Sequence, residues 1–230
     1  MFSKIFHGLF RAVYPDKCLA CGRLLGTGAV CRGCEATFRR IPADACLQCG
    51  EIPSQCECWK MKLRTDGYAA PFFNIGRAQK AFYRFKFAET VSGAEYFGKA
   101  MADTFRERFG EKEIDLVCFV PNTHSARRKY PPQLLAEVVS RELNIPLDAR
   151  LLQKVGDNRP QHSLNFNERI RNVKGIYAAG GGCKGNRILL VDDIRTTGAT
   201  LNECAKVLKK AGAKKVYGVT ALRSRDLQYF

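Results

Sequence analysis

No apolar run in this 230-residue chain approaches the roughly 20 residues that a membrane-spanning helix needs. The N-terminal stretch also lacks the small-residue cleavage region of a secretory signal peptide. We therefore expect a cytoplasmic protein without stable membrane insertion, whose cysteines bind metal or stay reduced and do not form disulfides. Apolar residues make up 46% of the chain and aromatic residues 10%, which excludes a disordered protein and favours a packed core.

Acidic residues are scarce beside basic ones. The chain has 38 Lys and Arg against 22 Asp and Glu, a formal net charge of +16. A charge of this size favours anionic partners, either nucleotide phosphates or nucleic acid, although a solvated basic surface would give the same count.

The cysteines are concentrated near the N-terminus, where eight of the eleven lie in four close pairs. The pairs are Cys18 and Cys21, Cys31 and Cys34, Cys46 and Cys49, and Cys56 and Cys58. Short C-x-x-C turns with a nearby glycine are typical of zinc sites, and two such pairs complete a tetrahedral site. No histidine lies among them, so we predict two structural zinc ions without an open catalytic position.

We expect Cys18, Cys21, Cys31 and Cys34 to share one zinc ion and the later four cysteines to share the other, although a cross-braced arrangement also fits the spacing. Eight thiolates add eight negative charges and two zinc ions add four positive ones, so the formal charge would fall to +12. The three remaining cysteines are scattered singly and are predicted to be core thiols. These are Cys118, Cys183 and Cys204.

Residues 188–200 combine a strand signal, two acids and a threonine- and glycine-rich loop. Four apolar residues precede Asp192 and Asp193, and a helix pattern follows from Thr200. A loop between a strand end and a helix start is where open α/β sheets bind ligands, and a helix N-terminus attracts anions. Gly198 would let the backbone approach a phosphate closely. The competing interpretation is a capped helix after an edge strand.

This stretch resembles the 5-phosphoribosyl-1-pyrophosphate (PRPP) motif of type I phosphoribosyltransferases, which has a hydrophobic run, two acids and T-T-G-x-T. The resemblance implies that Asp192 and Asp193 hold the ribose hydroxyls, that residues 195–200 surround the 5′-phosphate, and that Mg²⁺ accompanies PRPP. The predicted contacts in the motif are Asp192, Asp193, Ile194, Arg195, Thr196, Thr197, Gly198, Ala199 and Thr200.

The rest of the chain reads as alternating strands and helices. Helices are predicted over 75–87, 92–109 and 131–143, and strands over 68–73, 114–120, 187–191 and 215–222. An amphipathic helix is predicted over 1–14, docked on the protein's own core. The helix over 75–87 interleaves basic and aromatic residues, which suits either nucleic acid or a basic helix packed beside the core. Residues 151–177 are predicted to be a basic lid over the site.

The strand over 114–120 is followed by a loop with a cluster of cations. Backbone N–H groups and arginines hold pyrophosphate well, and this loop supplies both. The residues predicted to contact pyrophosphate here are Pro121, Asn122, Thr123, Arg127 and Arg128.

Over nearly its whole length the chain resembles the ComF (ComFC) family of competence-associated proteins. Lys86 lies where that family has a lysine before an aromatic residue. Matches to the family's later patterns are Pro121, Arg127, Gln133, Gln161, Leu164, Arg169 and Asn172. Residues 129–133 read K-Y-P-P-Q where the family has R-G-F-N-Q, and Asn122 replaces its valine. Two prolines there fix φ, so we expect an altered pyrophosphate side.

The resemblance implies a type I phosphoribosyltransferase fold, a mostly parallel sheet flanked by helices, behind a zinc module. We expect the module in residues 1–64 and the phosphoribosyltransferase-like domain in residues 65–230. The catalytic set would be Asp192, Asp193, Arg127 and Lys86. The chain would bind PRPP and act in natural competence, in transformation by single-stranded DNA.

Two alternatives stay open beside this function. One is a weak or inactive nucleotide- or single-strand-binding factor that assists a DNA-uptake helicase. The other is a salvage or amino-group phosphoribosyltransferase unrelated to DNA. No residue identifies an acceptor substrate.

Overall fold

The computed structural model describes residues 16–60, 62–110, 114–122, 130–156, 168 and 171–224. The helix predicted over 1–14 lies outside these residues, and so do residues 157–167 and 169–170 of the predicted lid. So do several residues singled out above, namely Thr123, Arg127, Arg128, Gln161, Leu164 and Arg169.

The described chain contains both helices and strands along its length. The helices are α1 (Arg32–Glu35), α2 (Gly76–Ala88), α3 (Val91–Phe109), α4 (Pro131–Leu143) and α5 (Ala199–Lys210). The strands are β1 (Gly67–Ala69), β2 (Phe72–Phe73), β3 (Leu116–Phe119), β4 (Leu152–Lys154), β5 (Tyr177–Ala179), β6 (Arg187–Arg195) and β7 (Lys215–Arg223). The predicted boundaries of α2, α3 and α4 agree with these to within a residue.

The main sheet is parallel and has the order β1-β7-β6-β3, with β2 continuing beside β7 after β1. Strand β6 therefore lies inside the sheet, as expected from its unbroken apolar run. Strand β3 lies at one edge of the sheet and residues 67–73 lie at the other, where Pro71 separates β1 from β2. Proline is tolerated there because it lies between the two strands, and its carbonyl accepts from the N–H of Ile41 at 3.1 Å.

The chain leaves β3 and β6 in opposite directions. From β3 it passes through α4 to Leu147, which bridges to Val117 on the outer side of β3. From β6 it passes through α5 to β7, on the other side. Ligands of open α/β sheets bind at such a reversal, beyond the carboxyl ends of the two strands.

A hydrophobic core covers each face of the sheet. On one face, α2, α3 and α4 pack with Leu189 and Val191 of β6. On the other face, α5 and the β4–β5 region pack with Ile188 and Leu190. Alternate residues of β6 therefore belong to opposite faces, as the pleat requires.

One prediction about local structure was wrong. Strand β6 was expected to end at Val191, but its pairing with β7 continues through Asp192 and Ile194 to Arg195. A further feature was not predicted: within the connection over 151–177, β4 at the start pairs in antiparallel fashion with β5 at the end. Strands of three residues carry too short a pattern to be recognised in a sequence.

The N-terminal cysteine region packs directly on the sheet domain. Cys18, Leu19 and Cys34 belong to the same buried cluster as α2 and α3. The ring of Phe38 contacts the ring of Phe72 edge to face, with centroids 5.3 Å apart. Among the described residues, no helix combines the length and apolar character needed to cross a membrane.

Candidate phosphoribosyl site and metal centres

A pocket opens where β6 extends beyond β3. The last pairing between them joins Phe119 to Val191, and the N–H of Val120 donates to the carbonyl of Val191 at 2.9 Å. Beyond this point β6 continues beside β7 alone, and the space next to it forms a cavity of about 260 Å³. The sequence motif therefore lies along one wall of the pocket at the reversal in the sheet.

The two motif aspartates lie on opposite faces of β6. Asp193 faces α2, where the Lys86 Nζ lies 2.5 Å from its Oδ2. Asp192 is 8% exposed and faces the side of Tyr130 and Tyr177. Its Oδ1 accepts a hydrogen bond from the N–H of Asp193. Both carboxylates line the pocket, so one ligand could contact both.

The environment of Asp192 opposes its ionisation. Burial and the neighbouring charge of Asp193 raise the pKa of Asp192 well above its usual value. Burial would lower the pKa of Lys86, but the Asp193 carboxylate outweighs burial and raises it. Lys86 thus balances the charge of Asp193, whereas a charge on Asp192 would not be fully balanced. Buried groups with perturbed pKa values in a cleft are typical of functional sites.

The loop after β6 ends in the N-terminus of α5. Gly198 precedes this helix with φ +77°, a conformation that favours glycine, and the N–H of Ala199 donates to the Thr197 hydroxyl at 3.2 Å. The first N–H groups of a helix have no partner within it, and its dipole places positive charge there. Thr196, Thr197 and Thr200 line the same wall. This end of the pocket is suited to an anion such as a phosphate.

The buried side chain of Arg195 packs against the loop after β6. It is 4% exposed, its guanidinium lies over the ring of Tyr68 at 4.5 Å from the centroid, and its Nη1 donates to the Gln48 carbonyl at 3.2 Å. The sequence predicted Arg195 only as part of the phosphate loop. Its contact with a residue 147 positions earlier has no signal in a linear sequence.

The wall opposite the motif is formed by the segment after β3. Pro121 and Asn122 line it together with Tyr130, Pro131 and Pro132. The two prolines occupy the first turn of α4, where a missing N–H costs nothing, and the Tyr130 hydroxyl donates to the Val120 carbonyl at 2.7 Å. Where the chain departs from the family pattern, residues 130–132 thus form a rigid aromatic and proline wall.

The pocket also contains residues that the sequence did not indicate as ligand contacts. Tyr177 at the start of β5 and Lys154 at the end of β4 both line it, and these residues are paired across the hairpin. Burial raises the pKa of both Tyr130 and Tyr177, so both hydroxyls remain neutral donors. The basic character of the long connection predicted Lys154 as part of a lid, whereas nothing marked Tyr177.

The eight paired cysteines form two separate four-sulfur groups. Cys18, Cys21, Cys31 and Cys34 make the first cluster, and Cys46, Cys49, Cys56 and Cys58 make the second cluster. Within each, all Sγ atoms lie within 4.8 Å of one another. The pairing is therefore sequential. Either cluster could hold a metal ion.

The sulfur geometry suits tetrahedral ligation. Neighbouring Sγ atoms are 3.4 to 3.9 Å apart, and a Zn–S bond of about 2.3 Å predicts an edge of about 3.8 Å. Backbone N–H groups also point at the sulfurs, from Cys31 to Cys18 and from Gln48 to Cys46. Burial would raise the pKa of both thiols, but these N–H groups lower the pKa of Cys18 to about 6 and of Cys46 to about 7. Burial and the neighbouring thiols instead raise the pKa of Cys34 to about 12 and of Cys49 to about 11, so a metal ion would have to displace their protons.

The contacts of α2 decide in part between the two interpretations of its basic and aromatic residues. Phe82 and Phe85 are fully buried, whereas Phe87 is 80% exposed. On the outer side, Arg84 donates to the Leu19 carbonyl at 3.2 Å and Arg77 donates to the Cys34 sulfur at 3.5 Å. The aromatic residues are therefore mainly core, and the arginines join α2 to the first cluster. The other single cysteines, Cys118, Cys183 and Cys204, are buried as predicted.

Known proteins resemble both parts of this chain. Residues 133–228 match the family described as Phosphoribosyl transferase domain. The chain is 26% identical over 227 residues to Competence protein ComFC of Streptococcus pneumoniae, covering 90% of this chain and 100% of that protein. It is 27% identical to Competence protein F of Haemophilus influenzae, with 87% and 93% covered, and 27% identical to DNA utilization protein YhgH of Escherichia coli, with 86% of each covered.

The chain is a homologue of these competence and DNA utilization proteins. Its resemblance to them includes the cysteine region, since it extends over nearly the whole chain. The domain match and the parallel sheet establish the predicted type I phosphoribosyltransferase fold, with the two cysteine clusters before it.

Replacing Asp192 by asparagine should stabilise the ligand-free protein. A carboxyl group whose pKa is raised by folding destabilises the folded state at any pH above its unfolded pKa, so the gain should grow from pH 4 to pH 7. We expect the melting temperature at pH 7 to rise by about 2–4 °C, the change that about 1 kcal/mol produces in a chain of this size.

Asp193→Asn is the matched control, because it removes the partner of Lys86 and should lower the melting temperature or leave it unchanged. Thermal unfolding followed by circular dichroism measures both variants. A lower melting temperature for Asp192→Asn at pH 7 would contradict the electrostatic account of the site.

Proposed function

We propose that this protein binds PRPP with Mg²⁺ and acts in natural competence, in the uptake of DNA and transformation by single strands. The observation that carries the binding is the pocket itself. One wall bears Asp192 and Asp193, and the same wall ends at the N-terminus of α5. A diol and a phosphate are the groups that these two features suit, and a phosphoribosyl group contains both.

Each end of the pocket would bind a different part of the ligand. The ribose hydroxyls would donate to Asp192 and Asp193, and the N–H groups at residues 198–201 would bind the 5′-phosphate. The pyrophosphate would extend towards Pro121 and Asn122, within reach of the Lys86 cation. Mg²⁺ bound with PRPP would supply positive charge for the departing pyrophosphate.

Transfer of the phosphoribosyl group is a further step in this proposal. Such transfer needs no side-chain nucleophile, because positioning and charge stabilisation at the leaving group suffice. Lys86 is the candidate for this role among the described residues, and Arg127 is the candidate outside them. If the protein is an enzyme, it is a pentosyl transferase.

We also propose that the ion in both cysteine clusters is zinc. All ligands are thiolates, so neither ion would keep an open position for chemistry and both would be structural. A region of this size has little core of its own, and metal binding would contribute much of its folding energy.

Titration calorimetry with PRPP and Mg²⁺ tests the binding proposal. The wild type should bind, and Asp193→Asn should weaken binding by about tenfold or more because one charged hydrogen-bond acceptor is lost. Glu203→Gln is a suitable control, since Glu203 lies on α5 and interacts with Lys206 and the Gly175 N–H. No heat with the wild type would overturn the proposal.

The same titration has a predicted pH dependence. The ligand's hydroxyls donate to the ionised form of Asp192, and its raised pKa depletes this form at a higher pH than for an ordinary aspartate. Affinity should therefore fall on acidification well before pH 4 is reached, and binding at neutral pH should release protons. Asp192→Asn should lose this dependence.

A second candidate function is direct binding of single-stranded DNA. The observation in its favour is an exposed basic surface that joins α2 to the first cluster. Arg77 and Arg84 bridge these two parts, and the ring of Phe87 is exposed on the same helix, where a base could stack on it. The relatives named for competence and DNA utilization are consistent with this candidate.

Salt dependence distinguishes this candidate. Binding of a labelled oligothymidylate, measured by fluorescence anisotropy, should weaken steeply between 50 and roughly 200 mM salt, with a slope set by the phosphates contacted. Lys80→Glu should weaken binding, whereas Lys99→Glu on α3 serves as a charge-matched control. No binding at low salt would remove direct contact with DNA from the account.

A further inference from the structure

The second cluster contacts the sheet domain through five consecutive carbonyl groups. Arg108 donates to the carbonyls of Ala45 and Cys46, at 2.7 and 3.2 Å. The N–H of Tyr68 donates to Leu47 at 2.7 Å, Arg195 donates to Gln48 at 3.2 Å, and Nε of Arg223 donates to Cys49 at 2.8 Å. The turn over 46–49 is therefore held in a defined position against the domain that contains the pocket.

The same turn has a shape that depends on its ligand cysteines. The N–H of Gly50 donates to the Cys46 carbonyl, and Gly50 has φ +71°. A Cβ atom at this position would lie 2.7 Å from the Tyr68 ring. Cys46 and Cys49 both point into the second cluster, so metal ligation closes the turn and presents its carbonyls outward.

One of the four donor residues, Arg195, belongs to the phosphate loop. The guanidinium of Arg195 lies between the Tyr68 ring and Gly198, and a Cβ atom on Gly198 would be 2.9 to 3.1 Å from its atoms. The backbone of Gly198 thus rests on this guanidinium. Any displacement of Arg195 would therefore change the packing against Gly198, the residue before α5.

The first cluster has different contacts. It meets Arg77 and Arg84 of α2, and Tyr96 of α3 donates to Glu35 beside Cys34. These contacts lie on the helices of one face and not on the loop over 195–200. The two clusters, though chemically alike, are therefore attached to different parts of the domain.

We propose that Arg195 is a positioning residue that couples the second cluster to the phosphate loop, so that metal in this cluster holds the loop ready for its anion. The coupling rests on the proposed function of the loop. Loss of metal from the second cluster lets the 46–49 turn relax, withdraws the Gln48 carbonyl from Arg195 and loosens the backbone at Gly198. Loss of metal from the first cluster leaves this path intact.

A matched pair of ligand variants tests the coupling. Cys58→Ser removes a ligand of the second cluster, and Cys21→Ser removes one from the first. Metal analysis should return two zinc ions for the wild type and one for each variant. PRPP affinity with Mg²⁺, measured by calorimetry, should fall at least tenfold for Cys58→Ser and stay within twofold for Cys21→Ser. Equal losses in both variants, or an unchanged affinity in Cys58→Ser after metal loss, would overturn the proposal.

Hydrogen exchange provides a readout that does not depend on PRPP. Amides over 196–200 should exchange faster in Cys58→Ser than in the wild type, while those of β3 keep their protection. If the wild type fails to bind PRPP but this pattern appears, the proposed function fails and the coupling stands. If PRPP binds and loop exchange is the same in both cysteine variants, the coupling fails alone.

Arg195→Lys completes the test and covers the case in which Cys58→Ser does not fold. It leaves all eight ligand cysteines in place and keeps the positive charge, but loses the planar group that contacts the ring, the carbonyl and the glycine together. It should retain two zinc ions yet show the same faster loop exchange and weaker PRPP binding. In the Arg195→Lys background, Cys58→Ser should add less than twofold. Additive effects, or a normal loop in Arg195→Lys, would contradict the proposal.

Discussion

The contact of the Arg195 guanidinium with Tyr68, Gln48 and Gly198 is the interaction on which the rest of the site depends. A buried arginine is costly unless its donors are satisfied, and here a carbonyl of the cysteine region and an aromatic face compensate for its burial. This one side chain contacts the cysteine region, an edge strand and the loop before α5. The two parts of the chain are thus physically joined beside the pocket.

The sheet provides the second constraint. Strand β6 is paired on both sides up to Val191 and on one side beyond it, so the strand that carries Asp192 and Asp193 is rigid while its free side forms the pocket. The pleat sends Asp193 to Lys86 and leaves Asp192 buried with its pKa raised. The site therefore contains an acid whose ionisation the ligand would have to stabilise. The raised pKa of Asp192 lowers the stability of the ligand-free protein and would make ligand binding depend on pH.

The sequence alone predicted features that depend on local pattern or on a known motif. The helix over 131–143 was predicted at its observed bounds, because its apolar spacing and its first-turn prolines are local signals. The motif over 188–200, the fold and the eight clustered cysteines were also evident. Contacts between residues far apart in the chain were not predicted. The pairing of Lys154 with Tyr177 and the contact of Arg195 with Gln48 join residues far apart in the chain, so no periodicity or spacing reveals them.

The central claim is that the loop over 195–200, at the start of α5, binds the 5′-phosphate of a phosphoribosyl ligand. Phosphorus NMR of PRPP with Mg²⁺ tests it most directly, because the 5′-phosphate and the pyrophosphate give separate resonances. On addition of the zinc-loaded wild type, the account predicts a shift and broadening of the 5′-phosphate resonance. A 5′-phosphate resonance that stays sharp and unshifted at saturating protein would contradict it, whether or not the pyrophosphate resonances change.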